Sequence, residues 1–122
     1  MTATSCILGG ILLTAMGVIA GAFGAHALQK QLTPHLLGVF EVAVRYQLYH
    51  AFALILFGLW LERHPVSLLP AYGFLLGTLL FSGSLYALAL TGISKLGMIT
   101  PLGGLTLILA WVYWGYLVWT LK

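Results

Sequence analysis

Polar and apolar positions along this chain separate into four long apolar runs divided by three short polar breaks. The first run, residues 5–28, carries no charge and closes on Gln29, Lys30 and Gln31. The second becomes continuously apolar at Leu48 and ends at Glu62, Arg63, His64 and Pro65. The third reaches Leu90 before Thr91, Gly92 and Lys95, and the fourth runs from Pro101 to Leu121 before Lys122. With the second counted from residue 43, each run is close to the ~20 residues a helix needs to cross a hydrocarbon core of about 30 Å. Open strands are excluded in lipid, because their edge groups would have no hydrogen-bond partners. The pattern therefore predicts an all-α membrane protein. We expect a four-transmembrane-helix bundle forming one domain over residues 1–122, with spans at 5–28, 43–62, 68–91 and 100–121.

Helix starts are also marked. Thr33-Pro34 and Thr100-Pro101 each place a capping hydroxyl before a proline at the first helical position. From Pro34 the second helix exceeds what the bilayer needs. Residues 34–42 are therefore expected to form a short interfacial helix before the second span, with a bend near Gly38. Gly17, Gly21 and Gly24 fall on nearly one face of the first helix, as do Gly73 and Gly77 on the third. Together with Gly83, Gly103 and Gly104 they are candidates for close helix packing, within the bundle or in a homo-oligomer. At an offset of sixty residues, Gly17, Ala27 and Leu28 match Gly77, Ala87 and Leu88, a faint echo of duplication. Trp60, Trp111, Trp114 and Trp119 read as lipid-facing or interfacial anchors.

Composition narrows the class further. Hydrophobic residues make up 61% of the 122 residues and charged ones 6%. A soluble domain carries about a quarter charged residues, so lipid must cover this apolar surface. The net charge of +3 comes from five basic residues scattered at span ends, with no clustered stripe for nucleic acid. Membrane lipids are the expected partners, with a second copy or another membrane protein as further candidates. The single cysteine, Cys6, reads as a small apolar packing residue. Ala25-His26-Ala27 has the shape of a signal cleavage site, but no basic residue precedes the run and the run is too long. The first segment is expected to stay as a span.

The unusual residues lie in the stretch EVAVRYQLYH, residues 41–50, which holds two of the seven charges. An ionisable group near or in a bilayer costs a few kcal/mol, and so points to function. Because successive helices alternate in direction, GAFGAHAL, EVAVRYQLYH, FSGSLYALALTG and ITPLGG should share one end of the bundle. Glu41, Arg45 and Tyr49 lie at helical spacing on one face, and Tyr46 and His50 on the next, with Gln47 further round. His26, Ser82, Ser84, Tyr86 and Thr100 complete the ligand or polar-network candidates from other helices. Such a network could be glue between helices, or a pocket for a lipid headgroup or small molecule, where Arg with aromatics suits an anionic or carbonyl group.

Other chemistry finds little support. His26 and His50 are the only histidines expected to lie deep, and a metal site needs three ligands of suitable geometry. Ser82 and Ser84 stand in no nucleophile elbow, and the chain has no Asp. Glu41 and His50 are about two and a half turns apart, too far for a direct acid–base relay. No metal, cofactor or catalytic residue is expected.

The four motifs, in this order, resemble those of the YgdD-like family of small membrane proteins, a domain-of-unknown-function family, over nearly the whole chain. The resemblance implies a four-helix, multi-pass protein of the bacterial inner (plasma) membrane and brings no catalytic residue. It also implies a basic C-terminal tail and cytoplasmic termini, which would place the polar end outside. The sum of these readings is a non-enzymatic accessory or scaffold protein with a polar end that binds a lipid or partner. The alternative is an oligomeric small-solute or ion carrier, since four helices alone rarely enclose an alternating-access path.

Overall fold

The structure, a computed structural model, describes residues 1–121, apart from the side chain of Ala25. Lys122, the expected basic end of the fourth span, lies outside the described residues. The first span runs through α1 (Ala3–Ile19), a π-helical segment Ala20–Gly24 and a short α2 (Ala25–Leu28). Then come α3 (Pro34–Leu61), α4 (Leu69–Thr91), a 3-10 turn Ser94–Met98 and α5 (Thr100–Thr120). All four spans are long and apolar enough to cross a membrane.

Local chemistry accounts for most boundaries. Thr2 accepts from the Ser5 amide and Thr33 from the Leu36 amide, each at 3.2 Å. These bonds satisfy amide groups that have no partner within the helix. Ser67 does the same for Leu69, and Gly92 ends α4 with φ +71, a left-handed position that only glycine adopts freely. The fourth span departs from expectation. Thr100 is the first residue of α5 rather than its cap, and its hydroxyl is 2.6 Å from that of Ser84 on α4. A bond across helices has displaced the local cap.

A further expectation is corrected. No separate interfacial helix precedes the second span, because α3 runs unbroken for 28 residues through Gly38. At 1.5 Å per residue it is about 42 Å long, which a bilayer accommodates by tilt or by letting one end protrude. The first span is not uniform either. Its π segment falls where Gly21 and Gly24 approach Val44 and Phe40 of α3.

Packing follows a simple order. The first span lies on α3, α3 on α4, and α4 on α5. Glycines set the close approaches. A Cβ on Gly10 would meet the Ala51 carbonyl at 2.7 Å, and one on Gly17 would meet Leu48 at the same distance. Across α4 and α5, Gly73 meets Ala110, Gly77 meets Leu107, and Gly103 lies against the Phe81 backbone with Gly104 near its ring. The glycine faces of both hairpins are thus used inside the chain. Gly83 meets only Leu79 of its own helix. The core combines small residues (Cys6, Ala53, Ala71, Ala110) with Leu54, Phe57, Phe74 and Leu107. Trp111 and Trp114 stack on each other in mid-helix, with Trp114 edge-on to Phe57 and Phe74, so they are not a terminal belt. The first span and α4 make no extensive contact, and a groove remains between them over α3.

Candidate functional site

Gln47 is the centre of the polar structure. It lies near the middle of α3, only 6% exposed, beside the gap left by Gly17. Its Nε2 donates to the Leu13 carbonyl of the first span at 2.8 Å. The Tyr86 hydroxyl of α4 donates to its Oε1 at 2.6 Å. One amide therefore ties three helices. It uses two of the four bonds that a carboxamide can make among the described residues.

His50, one turn on, makes a second tie. Trp111 Nε1 of α5 donates to its Nε2 at 3.1 Å, and its Nδ1 lies 2.8 Å from the Tyr46 carbonyl. Because Nε2 accepts, the ring proton sits on Nδ1 and points at that carbonyl. The imidazole is neutral with both nitrogens engaged, so it offers no lone pair to a metal and no ready site for a proton. Ser82 donates to the Ala43 carbonyl at 2.8 Å, and Ser84 joins Thr100.

Gln47, Tyr86 and Ser82 also line the groove between the first span and α4. Its cavity has a volume of about 440 Å³. Leu13 and Met16 form one wall, and Leu75, Leu76, Leu79 and Gly83 the other. Thr78 also lines it. Its hydroxyl is buried and has no hydrogen-bond partner among the described residues.

The remaining candidates stand elsewhere. Glu41, Arg45 and Tyr49 face outward on α3, and no ion pair joins Glu41 to Arg45 although they are four residues apart. Tyr46 is partly exposed and packs on Phe81 at 4.6 Å between ring centres. His26 is exposed, and its side chain bonds to nothing among the described residues. The inter-helix bonds thus lie at mid-helix positions as well as toward the expected polar end. Among the described residues, no three His, Cys, Asp or Glu side chains gather as a metal would require.

Sequence reasoning missed Thr78 and Trp111. Thr78, Ser82 and Tyr86 recur every four residues on α4, a signal that would have placed Thr78 on this face. Trp111 carried no such signal, because an indole in an apolar helix reads first as a lipid-facing anchor.

The family described as "Protein of unknown function (DUF423)" matches residues 20–104, from the π segment to the first turn of α5. The chain belongs to this family. The chain is 47% identical over 104 residues to UPF0382 membrane protein SH2409 of Staphylococcus haemolyticus, covering 84% of this chain and 85% of that one. It is 42% identical over 110 residues to UPF0382 membrane protein YwdK of Bacillus subtilis, covering 87% and 88%. No solved structure matches it significantly. Like these bacterial relatives, this DUF423 chain is a membrane protein, here with four helices long and apolar enough to span, and the family supplies no activity for its polar groups.

Proposed function

We propose that the chain is a YgdD-like, non-enzymatic accessory protein of the bacterial plasma membrane that holds a lipid-phase molecule in the groove between its first span and α4. One observation carries this reading. The cavity of about 440 Å³ has apolar walls and a few polar groups at mid-depth, Gln47, Thr78, Ser82 and Tyr86. Ligand sites commonly have volumes of about 300–1,000 Å³ and just this mixture of apolar walls and sparse polar groups. Because the groove opens toward the hydrocarbon, its occupant would enter from the bilayer. The reading also moves the expected binding region from the end of the bundle to its flank.

The test uses Gly83→Leu. A Cβ there meets only Leu79, at 3.8 Å, and Gly83 lines the cavity, so a leucine at this position should occupy the groove. Wild-type protein released from mild detergent into a mass spectrometer should retain a bound lipid-phase molecule. The Gly83→Leu protein should melt at the same temperature or higher and emerge bare. A bare wild-type protein, or a variant that keeps the ligand, would defeat the proposal. The second reading, an oligomeric solute or ion carrier, is favoured by the mid-helix positions of Gln47 and Thr78, since carriers place their sites near the bilayer midplane. Counter-flow in proteoliposomes separates it from the first.

A further inference from the structure

We propose that two copies of this chain pair through the outer face of α3, with Glu41 of each copy bound to Arg45 of the other. This is independent of the groove. Glu41, Arg45, Tyr49, Phe52 and Leu56 recur at helical spacing, and all five are exposed. Neither the first span nor α4 covers this face, since those helices pack on Val44, Leu48, Ala51, Ala43 and Gln47.

Two opposite charges on an exposed stripe of a helix long and apolar enough to span a membrane are the anomaly. Ionisable residues within membrane spans almost always face a bundle interior or water and find a partner. Here the two are four residues apart and do not pair within the chain. Snorkelling toward phosphate headgroups would serve Arg45 but would leave Glu41 without a cation. A second copy serves both.

The symmetry fits as well. Copies inserted the same way in a bilayer are related by a two-fold axis along its normal, and their α3 helices run parallel. A two-fold interface is reciprocal, so whenever Glu41 meets the partner's Arg45, the converse pair forms too. The offset between the two positions is about 6 Å along the axis, at 1.5 Å per residue, within reach of these long side chains. Below them Tyr49, Phe52 and Leu56 offer an apolar seam. The glycine stripes, a more obvious route to self-association, are already consumed inside each copy.

Charge reversal gives the test. Glu41→Arg makes the stripe wholly basic and Arg45→Glu makes it wholly acidic. Each variant alone should weaken the dimer at least tenfold, read by native mass spectrometry across a detergent dilution series. Mixed together, the two variants should restore a heterodimer, because both cross-pairs are again opposite in sign. That mixing step also shows that each variant is folded. In membranes, Tyr49→Cys should form an intermolecular disulfide under mild oxidation, while the buried native Cys6 does not. The proposal is overturned if wild type is monomeric at every dilution, if the dimer ignores both reversals, or if two variants with wild-type melting temperatures fail to pair. Retention of anionic lipid in place of a second copy would likewise overturn it.

Discussion

Gln47 shows how one side chain can hold a membrane bundle together. In lipid the apolar surface supplies no preference for one helix neighbour over another, so specificity rests on packing and on hydrogen bonds. Gln47, only 6% exposed, joins the Leu13 carbonyl and the Tyr86 hydroxyl at bonding distance. Its replacement by Leu removes both bonds and leaves the tyrosine hydroxyl without its acceptor. Bonds of this kind average about 0.6 kcal/mol and reach about 1.7, so the Gln47→Leu cost should be roughly 1–2 kcal/mol. Cys6 offers a convenient reporter, since it is 0% exposed when folded. Thermal unfolding followed by thiol labelling should show a lower midpoint for the variant. An unchanged midpoint would mean that Gln47 serves only the groove. His50 makes the same point from the other side of α3. It was a candidate for chemistry, but its two nitrogens are spent on Tyr46 and Trp111.

At the scale of helices, the spacing of glycine decides which elements touch. Gly103 has no room for a side chain, because its Cβ would run into the backbone of Leu80 and Phe81. Backbone cannot move aside as a flexible side chain can, so Gly103→Ala should cost about 1–3 kcal/mol, the usual range for overpacking. Gly38 is the control. Nothing lies within 4 Å of its Cβ position and it sits inside α3, so Gly38→Ala should be neutral or stabilise by up to about 1 kcal/mol. Equal losses from both substitutions would show that packing is not what distinguishes them. Much of this level was legible in the sequence. Apolar runs of about span length allow only helices in lipid, and the polar breaks lie close to the observed helix ends. The unbroken α3 was not legible, because a glycine in an otherwise good helix reads equally as a bend or as a tolerated gap. The candidate site was half legible. Helical spacing placed Glu41 and Arg45 on one face of α3 and Gln47 on another, but spacing alone cannot say which face meets a neighbour. That depends on the rotation of α3 against the first span and α4, which the contacts of Gly10, Gly17 and Gly21 fix.

The whole molecule is best described as two helical hairpins joined by one interface. The first span packs on α3 through glycines 10, 17, 21 and 24, and α4 packs on α5 through glycines 73, 77 and 103. Between the hairpins, Ser82 reaches Ala43, Tyr86 reaches Gln47, and Trp111 reaches His50. Phe57 meets Trp114 edge-on at 5.4 Å in the same interface. The segment that links them covalently, between Leu61 and Leu69, belongs to no helix. Each hairpin satisfies its own backbone within its helices, so each can insert into a bilayer separately. Three side-chain bonds and an aromatic layer should then be enough to bring the halves together. If so, residues 1–64 and 65–122 expressed as separate chains should co-purify through a tag on either one. The Gln47→Leu substitution should reduce that recovery, because it removes one of the three bonds across the seam. Insertion of both halves without co-purification would show that the connecting segment, rather than the interface, holds α3 against α4. The groove would then belong to the intact chain alone, since its walls come from different halves: Leu13 and Met16 from one, Leu75, Leu76 and Leu79 from the other.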